Sequence, residues 1–169
     1  DYLEDYEERF ESYHRKESRI QFDLELFNKI TKGGLPNKTL NIALAGTGVG
    51  KSLFMCHHAS SVLLDGKNVL YITLEMAEEK IAERIDANLL NVNIQNITEL
   101  PKPMFESKVN NLAKKTQGTL IIKEYPTASA HSGHFKSLLN ELALKKSFTP
   151  DIIFIDYLNI CASSRYRTN

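Results

Sequence analysis

Apolar and polar positions follow two rhythms along this chain. Near the start, "DYLEDYEERFESYHRKE" puts Tyr2, Leu3, Tyr6, Phe10 and Tyr13 on one stripe at helical spacing, with acids and then bases on the other faces. That stripe suits a helix lying on its own domain as well as a linker helix docking on a neighbouring subunit. "IQFDLELFNKITKGGLPNKTLNIALAG" predicts a short helix, a Gly-Gly turn and then a strand over "LNIAL". Beyond it the rhythm alternates. Helical spacing covers residues 50–65, 77–90, 105–115 and 132–146, and strand patterns cover residues 68–74, "TLIIKEY" and "DIIFIDYL". "NVNIQNITELPKP" is a polar, proline-ended connection. Strands alternating with helices predict an α/β fold, a mainly parallel sheet with helices on both faces. No repeat or low-complexity tract interrupts it.

Composition narrows the class. The chain has 169 residues, 42% hydrophobic and 25% charged, enough for one domain with a proper core. Its 21 basic and 21 acidic residues cancel, so bulk charge gives no signal for nucleic acid or membrane. No apolar run reaches spanning length, and no signal peptide is visible. Cys56 and Cys161 form no disulfide framework and suit a reducing cytosol, with Cys56 expected as core filler. A chain that opens on Asp1 and stops at Asn169, shortly after an apolar strand, is expected to be a piece of something longer.

The chemistry concentrates in "ALAGTGVGKSLF". Glycines between a predicted strand and an apolar-periodic helix let the backbone turn tightly and present N–H groups to an anion. Ala45, Gly46, Thr47, Gly48, Val49, Gly50, Lys51, Ser52 and Leu53 make a phosphate loop of the P-loop type. Lys51 reaches the outer phosphates, and the Ser52 hydroxyl suits Mg²⁺. Ala45 stands where the strict pattern has glycine, which requires ordinary backbone angles there.

A metal–triphosphate needs further oxygen ligands. "IIFID" is an apolar strand ending in Asp156, a Walker B candidate. In many ATPases a glutamate follows that aspartate, whereas here Tyr157 follows. The base is therefore expected from another strand. "NVLYITLEM" ends in Glu75 at the carboxyl end of its strand, where ligands of such sheets bind. Glu124, closing "TLIIKE", is the rival, and Glu75 also suits a plain helix start.

Taken together, "FDLELFNKITKGGLPNKTLNIALAGTGVGKS", "LYITLEMAEEKIAERI" and "IIFIDYLNI" resemble the RecA-like ATPase domain of DnaB-type replicative helicases, in particular those of T4-type bacteriophages. The resemblance covers about residues 22–161. The Glu75–Met76 pair with Arg84 behind it, and the Asp156–Tyr157–Leu158 triplet, are more specific than a phosphate loop alone. It implies a RecA-like P-loop NTPase fold, a linker helix over residues 1–19 and an incomplete ATPase core over residues 20–169. It implies ATP and Mg²⁺ as cofactors, Lys51, Glu75 and Asp156 in catalysis, Ser52 and Asp156 on the metal, and Asn159, standing where the family often has glutamine, as a γ-phosphate sensor or a link to the DNA loops. It further implies an ATP-dependent DNA helicase that moves as a homo-hexameric ring on single-stranded DNA, with a primase and a helicase loader as partners. The setting would be the cytoplasm, a bacterial host's if the protein is a phage's. The arginine finger and much of the DNA surface lie beyond this chain, so these residues alone are expected to bind nucleotide and hydrolyse it poorly.

Arg165 and Arg167 begin the stretch where the family's DNA-facing loops start, or else a solvated tail. His57 and His58 are adjacent and point apart, and His131 and His134 lack accompanying ligands, so neither pair is expected to hold a metal. Ser132 is the expected N-cap of its helix. Lys114, Lys115, Lys145 and Lys146 read as helix-end charges. Two other classes stay open: a RecA-like recombinase or clock-type ATPase, and a nucleotide-binding assembly module that does not hydrolyse.

Overall fold

A computed structural model describes residues 2–15, 17–163 and 165. The chain divides into two units, Asp1–Ala43 and Leu44–Asn169.

The first unit holds helix α1 (Tyr6–His14), strand β1 (Arg19–Ile20), helix α2 (Glu25–Ile30) and strand β2 (Leu35–Pro36). Strands β1 and β2 pair antiparallel, Ile20 opposite Leu35. Gly34 has φ +110°, and a Cβ there would lie 2.2 Å from the Ile20 carbonyl oxygen, so only glycine lets the two strands meet. α1 starts four residues after Tyr2, and its aromatic stripe is exposed, Phe10 at 63%.

"LNIAL" does not form the expected strand: residues 40–44 are irregular, with no ladder partner among the described residues. Leu40, Ile42 and Leu44 are exposed at 83, 73 and 94%. Period-two alternation specifies a strand only where a neighbouring edge takes up the backbone N–H and C=O groups.

The second unit alternates as expected: helix α3 (Lys51–Leu64), strand β3 (Val69–Thr73), helix α4 (Glu78–Leu89), a 3-10 turn (Ile94–Glu99), helix α5 (Lys102–Ala113), strand β4 (Leu120–Glu124), helix α6 (Ser132–Lys146), strand β5 (Ile152–Asp156) and a 3-10 turn (Leu158–Ile160). The strands form a parallel sheet in the order β4-β3-β5. Central β3 is buried at all five positions, because helices cover both its faces. Leu70, Ile72 and Leu74 pack with Leu138 and Leu142 of α6. Tyr71, on the opposite face, meets Cys56 of α3. At the amino end, Asn68 ties all three strands. Its N–H donates to Asp151 Oδ2 (2.8 Å), its Nδ2 to the Thr149 carbonyl (3.1 Å), and its Oδ1 accepts from the Thr119 N–H (3.2 Å). The register brings Glu124 and Asp156 to either side of Thr73 at the carboxyl edge.

The N-cap of α6 is His131, not Ser132. Its Nδ1 accepts from the Gly133 N–H (3.0 Å), while the His134 Nδ1 accepts from the His131 N–H (3.2 Å). An imidazole one residue earlier thus takes the role expected of the serine hydroxyl. Among the described residues, no helix is long and apolar enough to cross a membrane.

Candidate nucleotide site

The phosphate loop ends where α3 begins. Gly50 caps the helix at φ +107°, and Gly48 has φ +75°. A Cβ at either would meet nothing within 4 Å, so backbone angle rather than space calls for glycine here. Ala45 keeps a negative φ, as its side chain requires. Gly46, Thr47, Gly48, Val49 and Leu53 are exposed, and Ala45, Gly50, Lys51 and Ser52 are half-buried. The Val49 N–H turns back to the Gly46 carbonyl (3.4 Å). The first-turn amides of α3 thus lie at an accessible helix N-terminus, which favours an anion.

Lys51 is held beside β5. Its Nζ lies 3.9 Å from the centroid of the Tyr157 ring, a cation–π contact. Tyr157 follows Asp156 directly, so the start of α3 and the end of β5 meet at one rim.

Asp156 is 2% exposed. Its Oδ2 accepts from the Tyr71 hydroxyl at 3.1 Å. Its Oδ1 is buried with no hydrogen-bond partner among the described residues. A buried carboxylate oxygen without a donor is costly and suits a cation or a metal-bound water. On this observation Asp156 fits Mg²⁺, a hard ion that takes one or two carboxylates and keeps several waters. Tyr71 is fully buried, and burial, then the neighbouring Cys56 and Asp156, push its phenol far above the ordinary value of 10.0. It therefore stays a donor. Burial likewise raises the Cys56 thiol, which stays protonated 3.8 Å from the Tyr71 hydroxyl.

Glu75 follows β3 and is exposed. Its neighbour Leu74 donates its N–H to the Asp156 carbonyl at 2.9 Å, and the Leu74 carbonyl accepts from Thr127 Oγ1 at 2.9 Å. These bonds fix the turn carrying Glu75 beside Asp156. Glu124 has another task. Its Oε2 accepts from the Glu78 N–H (3.0 Å) at the start of α4, and Glu78 Oε1 accepts from the Glu124 N–H (2.7 Å). That reciprocal pair satisfies a free helix amide.

Asn159 is exposed in the turn after Tyr157. Arg165 is exposed, and its N–H donates to Ser163 Oγ (3.2 Å). Arg167 lies outside the described residues. His57 Nδ1 is 2.8 Å from Asn88 Nδ2, whereas His58 lies between Phe54 and Phe154, so the two point apart. His131 and His134 cap α6. Among the described residues, no three His, Cys, Asp or Glu side chains group as a ready-made metal cluster.

Sequence reasoning passed over Tyr71, and it singled out Tyr157 in the Asp156–Tyr157–Leu158 triplet without giving its ring a contact. A hydroxyl inside a fully apolar strand run was the available signal for Tyr71, because a buried phenol needs a partner. For Tyr157 the sequence signalled the triplet and the lack of a glutamate, and neither names Lys51 as the partner of the ring.

Comparison with known proteins agrees with the resemblance. The chain is 49% identical over 170 residues to the DnaB-like replicative helicase of Enterobacteria phage T4, covering 99% of this chain and 36% of that protein. It is 30% identical over 110 residues to the DNA repair protein RadA of Campylobacter jejuni, covering 65% of this chain and 24% of the relative. It is 28% identical over 134 residues to a probable plasmid replicative DNA helicase of Chlamydia psittaci, covering 76% and 28%. The chain thus spans about a third or less of each relative's length. Residues 20–169 match the DnaB-like helicase C terminal domain, and with a RecA-like α/β core that carries the phosphate loop, the chain belongs to that family.

Proposed function

We propose that this chain is the nucleotide-binding part of a replicative DNA helicase motor that hydrolyses ATP. The observation that supports it most is the meeting of Lys51 with Tyr157, beside a buried Asp156 whose Oδ1 lacks a donor among the described residues.

In this reading the amides of residues 46–52 and the Lys51 ammonium bind the triphosphate. Ser52 and Asp156 would hold Mg²⁺, which when bound neutralises charge on the phosphate oxygens. Glu75 orients a water and takes its proton as that water attacks the γ-phosphorus, whose bond to the β–γ bridging oxygen breaks so that ADP leaves with that electron pair. Asn159 senses the γ-phosphate, and Arg165 and Arg167 lead into a surface for single-stranded DNA. The working form is a homo-hexamer that meets a primase and a loader in the cytoplasm. A neighbour's arginine finger completes each site, and its absence typically costs on the order of 10³ or more in turnover. The chain alone is therefore expected to bind MgATP and turn it over slowly.

Substituting Glu75→Gln tests the catalytic assignment. Hydrolysis should be abolished while MgATP binding persists. Unchanged hydrolysis would overturn the role of Glu75, and a longer protein that binds MgATP with no hydrolysis to lose would favour an assembly module. A recombinase of the RecA-like type is the second reading, and the similarity to a DNA repair protein keeps it in view. With forked DNA and the longer protein, directional unwinding supports the helicase, and strand exchange without unwinding supports the recombinase.

A further inference from the structure

The buried face of the sheet carries a polar chain that the phosphate loop does not explain. Cys56 lies on α3, five residues after Lys51. Its thiol is 3.8 Å from the Tyr71 hydroxyl on β3, and that hydroxyl donates to Asp156 Oδ2 on β5 at 3.1 Å. All three residues are at most 2% exposed. Tyr71 stands opposite Phe154 in the register, two residues before Asp156, and this diagonal is within reach of a long aromatic side chain. Its ring is stacked on Phe154, centroids 5.7 Å apart at 19°, and Phe154 in turn meets His58 edge-on at 5.7 Å. The phenol is therefore fixed in place before any ligand arrives.

We propose that Tyr71 is a positioning residue for the metal-binding carboxylate: by donating to Oδ2, it turns Asp156 so that Oδ1 is left for the cation. This inference rests on the reading of Asp156 as a Mg²⁺ ligand. A carboxylate can rotate about its Cβ–Cγ bond, and one oxygen tied to a rigid donor removes that freedom. Without the hydroxyl, Oδ2 would be a second buried oxygen without a donor, and the carboxylate would settle between orientations. Partners that orient a metal ligand typically change metal affinity by about 10- to 100-fold.

Tyr71→Phe keeps the ring and its stack and removes only the hydroxyl. The readout is the Mg²⁺ concentration giving half-maximal binding of a fluorescent ATP analogue, alongside binding of the same analogue in EDTA. In Tyr71→Phe the Mg²⁺ midpoint should rise about 10-fold, with EDTA binding unchanged. Asp156→Asn should raise the midpoint at least as far. If Asp156→Asn shifts the midpoint and Tyr71→Phe does not, the positioning role is overturned. If Tyr71→Phe weakens binding equally with and without metal, Tyr71 serves only core packing and the role is again overturned. If Asp156→Asn leaves the midpoint unmoved, the metal reading itself fails, and the inference with it.

Discussion

The Lys51 ammonium rests 3.9 Å from the centre of the Tyr157 ring, so the phosphate-loop lysine is engaged by the residue that follows Asp156. In a nucleotide complex the lysine would turn to the phosphates and give up this contact. A cation–π contact between half-buried groups is worth about 0.5–1 kcal/mol or more, and releasing it opposes the turn of Lys51 to the phosphates. Tyr157→Leu is therefore expected to tighten MgATP binding by about 2- to 5-fold. Isothermal titration measures it, and a weakening would mean that the ring also supports the lysine in the bound state.

Two glycines with positive φ should respond differently to alanine. Gly48→Ala adds a side chain into open space, so only the backbone angle of +75° is strained, at a cost of about 1–2 kcal/mol. Gly34→Ala adds that strain and also drives a Cβ to 2.2 Å from the Ile20 carbonyl oxygen. Amide exchange at Ile20 and Leu35 should accelerate far more in Gly34→Ala than exchange in α3 does in Gly48→Ala. Equal effects would contradict the steric account.

Tyr71 ties stability to alkaline pH. Its phenol is pushed, chiefly by burial, far above the ordinary value of 10.0, whereas the unfolded chain's phenol ionises near that value. The folded state thus keeps a proton that the unfolded state releases. The contribution is full below about pH 10 and is lost as pH climbs toward the raised folded value, at about 1.4 kcal/mol per pH unit. Urea unfolding on either side of about pH 10 should show a steeper alkaline loss for the unmodified chain than for Tyr71→Phe. Identical slopes would mean that the phenol is not buried in solution.

The α6 cap separates His131 from Ser132. His131→Ala should cost about 1 kcal/mol, because the Gly133 amide loses its acceptor. Ser132→Ala should stay within about 0.5 kcal/mol. Thermal unfolding of both variants decides, and the reverse order would return the cap to the serine.

Much of the second unit was legible, and the reason is local. Strong periodicity in residues 50–65, 68–74 and 132–146 matches α3, β3 and α6, because a core-facing stripe repeats at the period of its element. "LNIAL" carries the same kind of signal and forms no strand, since pairing depends on an edge elsewhere in the chain. The short β1–β2 pair and the 3-10 turn at Ile94–Glu99 give too few residues for any period to register. Within the site, Lys51, Ser52, Glu75 and Asp156 could be nominated because motif and strand end coincide. The Tyr71–Asp156 bond joins residues 85 apart in sequence and is set by strand order, which no local pattern carries. Both Glu124 and Glu75 end strand-like runs in the sequence, and the reciprocal bond to Glu78 separates them.

On the proposed function, Lys51 and Asp156 serve one metal–triphosphate. Calorimetric titration of MgATP into the chain and into Lys51→Ala and Asp156→Asn tests it most directly. Binding should be measurable and should fall about 10-fold or more in each variant, with the Asp156→Asn loss vanishing when Mg²⁺ is withheld. Binding of equal strength in all three proteins would contradict it.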